Sequence, residues 1–211
     1  MGTLTIGIII ITVIVSFNAF TNVDLRNKFI FYPYQVNERN EYYRFFSHML
    51  IHGDTMHLFF NMFVLFSFGS NIENTLLFEF GYLGWIHFLI IYIIGGFVAG
   101  IWPYQKNKDN IHYRSLGASG AVSAILFANI LWFPEGSLYL MFIPYPIPSW
   151  LFGILYLAFE YYMGKRGGTR IAHDAHFGGA IFGIGYVLLI DFDKGINFIN
   201  LISGKLSLLI S

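Results

Sequence analysis

The chain contains no cysteine among its 211 residues, which excludes disulfide cross-links, a thiol nucleophile and thiolate metal ligands. Charge is scarce too. Charged residues make up 11% of the chain, against roughly 25% in an average soluble domain. Lysine plus arginine and aspartate plus glutamate balance at 12 each, a formal net charge of +0, so no strong attraction to nucleic acid is implied. No long Pro/Ser linker, low-complexity tract or clear internal repeat divides the chain, and one domain is expected. Apolar residues are what the chain has in excess. They make up 56% of the sequence, and the mean hydropathy is +0.60. Glycine, at 22 of 211 residues, exceeds the usual ~7%, as expected where helices approach closely in lipid.

Six apolar segments read as membrane-crossing helices: Leu4–Phe20, His48–Gly69, Leu83–Trp102, Leu116–Phe133, Ile147–Tyr162 and Ile171–Ile190. Each is near the ~20 residues that a bilayer requires. The first has no basic run before it and no small-residue cleavage site after it, so it is expected to be a retained helix. Residues 1–191 are thus expected to form a six-helix membrane domain. Residues 192–211, interrupted by Lys194 and Lys205, are expected to lie at the interface or fray.

Alternating crossings place the starts of the second, fourth and sixth spans on one side. His57 lies early in the second, Ser119 early in the fourth and His176 early in the sixth. At ~1.5 Å per residue, Ser119 and His176 each sit on the order of 5 Å inside their helix starts. Polar groups in hydrocarbon are expensive and invite a functional reading. Small residues allow the two spans to meet: Ala172, Ala175, Gly179 and Gly183 on the sixth, and Gly117, Gly120, Ala121 and Ala124 on the fourth.

A serine hydroxyl becomes a useful nucleophile when an adjacent base takes its proton, and a neutral imidazole is such a base. Acyl transfer also needs donors for the developing oxyanion. His57 and Asn61 are four apart, hence on one helix face. The Ala118 and Ser119 amides at a helix start are further candidates.

Three motifs resemble the signature of the rhomboid intramembrane serine proteases. They are Gly117-Ala118-Ser119-Gly120, the run His48…His52…His57…Asn61, and Ala175-His176-Phe177-Gly178-Gly179 followed by Gly183. They fall in order on three separate spans. Tyr43-Arg44, Glu73 and Pro146-Ile147-Pro148-Ser149-Trp150 are similar to lesser family features. The resemblance implies an all-α, six-transmembrane-helix rhomboid-like bundle with a Ser–His dyad. Ser119 is its nucleophile, His176 its base, and His57, Asn61 and Ala118 its oxyanion donors. It also implies transmembrane protein substrates in a lipid setting, no cofactor, metal or nucleic acid, and a bacterial plasma membrane location. One departure is Ser123, where the family often has an aromatic residue packed on the catalytic imidazole.

His48, His52 and Arg44 are expected to line a hydrated mouth. His48 and His52 are four apart, but with no H-E-x-x-H motif or carboxylate partner a metal site is not expected there. Asp174 lies about 200° round the helix from His176 and should point away, suiting an N-terminal dipole role. His173 shares a face with His176 and is expected to serve structure or water access. His87 and His112 belong to no motif.

Loops after the odd spans carry Arg26, Lys28, Arg39, Arg44, Lys106, Lys108, Arg114, Lys165, Arg166 and Arg170, against Lys194 and Lys205 opposite. The positive-inside rule puts the odd loops in the cytoplasm, whereas the resemblance implies the reverse. Two other classes fit the composition. One is an inactive rhomboid-like protein that binds transmembrane clients. The other is a small transporter, which would more often carry repeats.

Overall fold

In the computed structural model, which describes residues 2–139, 145–168 and 171–210 with the side chains of 208–210 excepted, helix accounts for nearly all regular structure. Arg170 of the odd-loop basic set lies outside the described residues. Helix α1 (Thr3–Thr21) buries Thr5, Thr12 and Ser16 and leaves Ile10, Ile11 and Ile14 more than half exposed. Apolar outside and polar inside is the arrangement lipid selects, because a polar group facing hydrocarbon has no partner. The following loop holds α2 (Val23–Phe29) and α3 (Pro33–Arg39), the latter with proline in its first turn, where no N–H bond is lost.

Helix α4 (Arg44–Ser47) runs into the tight turn His48–Leu50. The chain then breaks and bends by 98° into α5 (Thr55–Phe80), which carries a π turn at Leu65–Gly69. The expected span His48–Gly69 is therefore shifted toward the C-terminus. Asp54, in extended backbone, caps the real start by accepting from the His57 N–H at 2.8 Å. The helix then continues until Gly81, whose φ of 57° ends it.

Helix α6 (Leu83–Asn107) continues through Pro103. Helix α7 (Ser119–Trp132) has only 14 residues, and every one from Gly120 onward is buried. An all-round apolar helix of this kind belongs in the centre of a bundle. A two-residue antiparallel pairing, Ser137↔Pro148 and Leu138↔Ile147, precedes α8 (Ser149–Arg166). Helix α9 (His173–Ile190) returns beside α7, and the expected tail forms α10 (Asp193–Ile210), with Phe198 packed on the core.

Helices α1, α6 and α9 are each long and apolar enough to cross a membrane, and the bent α4–α5 unit makes a fourth candidate. The bundle core gathers Leu65, Ile72, Leu76, Phe88, Ile91, Ile125 and Val187. Two contacts position the site. A Cβ on Gly179 would run into the Gly120 carbonyl, and one on Gly183 into the Ala124 carbonyl. The expected small-residue packing of α9 on α7 is thus backbone against backbone.

Candidate active site

The turn into α7 is set by Gly117, whose φ of 118° suits glycine and whose Cβ would sit 2.7 Å from the His57 ring. Ala118 is the N-cap and Ser119 the first residue of the helix. His176 sits in the first turn of α9. Close packing of the two helices brings His176 Nε2 within 2.7 Å of Ser119 Oγ. Both side chains line a cavity of about 760 Å³, together with His57, Asn61, Ser123, Phe152 and Tyr156.

On its other nitrogen, His176 Nδ1 lies 3.1 Å from Glu160 Oε1 of α8. The second carboxylate oxygen of Glu160 lies 2.6 Å from His173 Nδ1. Glu160 and His173 are each 4% exposed. An ionised carboxylate only accepts, so both Nδ1 atoms carry the hydrogen. His176 Nε2 is then the acceptor for the Ser119 hydroxyl. The imidazole is held in the tautomer a general base requires.

His57 Nδ1 accepts from the Gly53 N–H at 3.4 Å. Its Nε2 therefore carries the hydrogen and is a donor. Asn61 Nδ2 donates one hydrogen to the His57 carbonyl at 2.9 Å, leaving a second. The Ser119 amide, first in α7, has no intrahelical acceptor. These groups suit a developing oxyanion. Ala118 does not join them. Its N–H is engaged by His52 Nε2 at 3.4 Å, which corrects the expectation of a donor there.

A profile of the rhomboid domain matches residues 39–191. The chain belongs to the rhomboid family. This rhomboid is 34% identical over 140 residues to the mitochondrial presenilin-associated rhomboid-like protein of Homo sapiens, a match covering 64% of the chain and 35% of that relative. It is 32% identical over 139 residues to the mitochondrial RHOMBOID-like protein 12 of Arabidopsis thaliana, covering 61% and 40%. It is 28% identical over 138 residues to the mitochondrial Rhomboid protein 1 of Saccharomyces cerevisiae, covering 64% and 38%. The matches thus take in little more than a third of those relatives' length. All three names are mitochondrial, which runs against the bacterial plasma membrane expected from the sequence. What stands is a membrane protein with several apolar helices.

The rhomboid's expected mouth residues lie elsewhere. Arg44, 4% exposed, donates to the carbonyls of Asn27 (2.9 Å), Lys28 (2.8 Å) and Ile30 (2.8 Å) and pairs with Glu41 at 2.6 Å. It staples the loop after α1 rather than lining the cavity. His48 packs its ring 5.2 Å from Phe31, and its carbonyl accepts from the Gly117 N–H at 3.0 Å. His52, 1% exposed, bridges Ser16 of α1 (3.0 Å) and Ala118. The physical reason is the 98° bend, which turns the stretch before α5 under the loop instead of continuing the helix.

Asp174 points away from His176 as expected and pairs with Lys106 at 2.9 Å. Glu160 escaped the sequence reading, although it is the single acidic residue in the span read as Ile147–Tyr162. An ionisable group in an apolar span is itself a functional signal. Ser123 is met by the Tyr156 hydroxyl at 3.1 Å, so α8 supplies an aromatic ring near the position where the chain lacks one. His87 Nδ1 pairs with the Tyr186 hydroxyl at 2.8 Å, tying α6 to α9. Glu160, His173 and His176 also offer ligand atoms within 4.8 Å of one another. A cation held on His176 Nδ1 would put the hydrogen on Nε2 and leave no lone pair there to accept from Ser119.

Proposed function

We propose that this rhomboid is an intramembrane serine endopeptidase that cleaves transmembrane segments of other membrane proteins. The observation carrying the reading is the 2.7 Å approach of His176 Nε2 to Ser119 Oγ in a cavity that also holds His57 and Asn61. In the proposed reaction, Ser119 Oγ attacks the scissile carbonyl carbon as its proton passes to His176 Nε2. A C–O bond forms, and the carbonyl π electrons move onto oxygen. The His57, Asn61 and Ser119 donors take up that charge. When the intermediate collapses, the C–N bond breaks and His176 gives the proton to the leaving amine. Water then hydrolyses the acyl-enzyme through the same base. Position supports the substrate class: both residues sit at the starts of helices in an apolar bundle, where a membrane-embedded segment could bring its peptide bond.

The test is cleavage of a transmembrane substrate in liposomes by wild type, Ser119→Ala and His176→Ala, alongside fluorophosphonate labelling. We expect both variants to lose cleavage and Ser119→Ala to lose the label. A well-folded wild type that neither cleaves nor labels would favour the client-binding reading instead.

A further inference from the structure

Glu160 is a carboxylate buried in an apolar helix, an expensive placement unless it is hydrogen-bonded and paired. If packing were its only role, an apolar side chain of similar volume would serve as well or better. Its two oxygens are divided between two imidazoles, 2.6 Å to His173 Nδ1 and 3.1 Å to His176 Nδ1. Tyr156, four residues earlier on the same face of α8, bonds Ser123 of α7 at 3.1 Å. The two side chains thus tie α8 to both helices of the Ser–His pair.

We propose that Glu160 is a positioning residue for the base, converting the Ser119–His176 pair into a Ser–His–Glu triad, with His173 holding the carboxylate in place. The inference rests on the protease reading above. Oε1 accepts from His176 Nδ1–H, which leaves Nε2 unprotonated and aimed at Ser119 Oγ. When the serine proton moves to Nε2, the resulting imidazolium lies against the Glu160 carboxylate. Oε2 accepts from His173 Nδ1–H, which stops the carboxylate from rotating away. This device orients the imidazole through a hydrogen bond on its edge, at a site where position 123 offers no ring to stack on its face.

The decisive variant is Glu160→Gln, which keeps shape and volume. Its amide can turn an N–H toward His176 Nδ1, stabilising the wrong tautomer. An equivalent carboxylate-to-amide change in a soluble triad protease lowers kcat about ten-thousand-fold. We expect Glu160→Gln to lower kcat roughly a thousand- to ten-thousand-fold with KM within about threefold and thermal unfolding unchanged. Glu160→Asp should restore most of the lost kcat. Heteronuclear NMR of histidine-labelled protein, with His176 assigned by difference from His176→Ala, reads the tautomer without any turnover. It should report Nδ1–H in wild type and a shift toward Nε2–H in Glu160→Gln. Unchanged kcat and tautomer in Glu160→Gln would overturn the proposal. So would equal losses in Glu160→Gln and Glu160→Asp accompanied by a lowered unfolding temperature, the mark of a purely structural role. A wild type that fails to cleave or label speaks against the protease reading alone, because the tautomer measurement still reads the Glu160 bond.

Discussion

Counting donors and acceptors decides what the imidazoles near Ser119 are for. Ser16 Oγ donates to the Leu50 carbonyl at 2.9 Å, so it accepts from His52 Nδ1–H, and His52 Nε2 accepts from Ala118. Both ring nitrogens of His52 are occupied, which makes it a strut between α1 and the turn that leads into Ser119. His57, by contrast, ends with an Nε2–H and lines the cavity. His57→Ala and Asn61→Ala should each lower kcat by about 10²–10³ with little change in unfolding temperature. Parallel steady-state kinetics and thermal unfolding check this, and a kcat within threefold of wild type would remove that residue from the oxyanion set. Ser119 and His176 were legible in the sequence as polar residues at the starts of apolar runs, His57 as a polar residue early in its span, and Asn61 by its spacing of four from His57. Glu160 carries the same local signal, but its meaning depends on α8 lying across the start of α9, which spacing along the chain does not encode.

The contact between α7 and α9 is where packing becomes chemistry. Gly179 and Gly183 let the backbones touch at Gly120 and Ala124, and that closeness sets the distance between Ser119 and His176. A methyl group at position 179 forces the helices apart. A displacement near 1 Å costs on the order of a hundredfold in rate, so Gly179→Ala should lower kcat/KM by about that factor. Gly185→Ala is the control, since a Cβ there meets nothing within 4 Å, and its activity should match wild type. The small-residue stripe was readable from composition and spacing alone. The start of α5 was not. The span read as His48–Gly69 passes over the polar stretch His52-Gly53-Asp54-Thr55, where Asp54 caps a helix that begins at Thr55, and the 98° bend falls between Leu50 and Thr55.

Across the whole molecule, buried polar groups hold distant segments in register. Glu73 of α5, fully buried, accepts from the N–H groups of Leu4 (2.9 Å) and Thr5 (2.8 Å) and from Thr5 Oγ1 (2.8 Å). It caps α1 from another helix, satisfying donors that hydrocarbon leaves stranded. Each buried donor left unpaired costs about 1–3 kcal/mol, so Glu73→Ala should lower the unfolding temperature clearly in detergent. Cleavage at low temperature should stay within a few-fold of wild type, because the hydrogen-bonded link from α1 to the turn before Ser119 runs through Ser16 and His52, at the opposite end of α1 from Glu73. A Glu73→Ala variant as stable as wild type would show that α1 is held by its apolar packing alone.

The sequence by itself determined the membrane class, the stripes of small residues and the shared depth of Ser119 and His176. These depend on hydropathy, composition and the parity of crossings, all of which are local or countable along the chain. Tertiary structure decided which nitrogen of each imidazole faces which partner, that the Ala118 amide is already engaged, that Arg44 staples a loop, and that Glu160 stands behind His176. Those outcomes depend on hydrogen bonds between segments that meet only after helices bend and pack, and such bonds are selected by direction and distance in space.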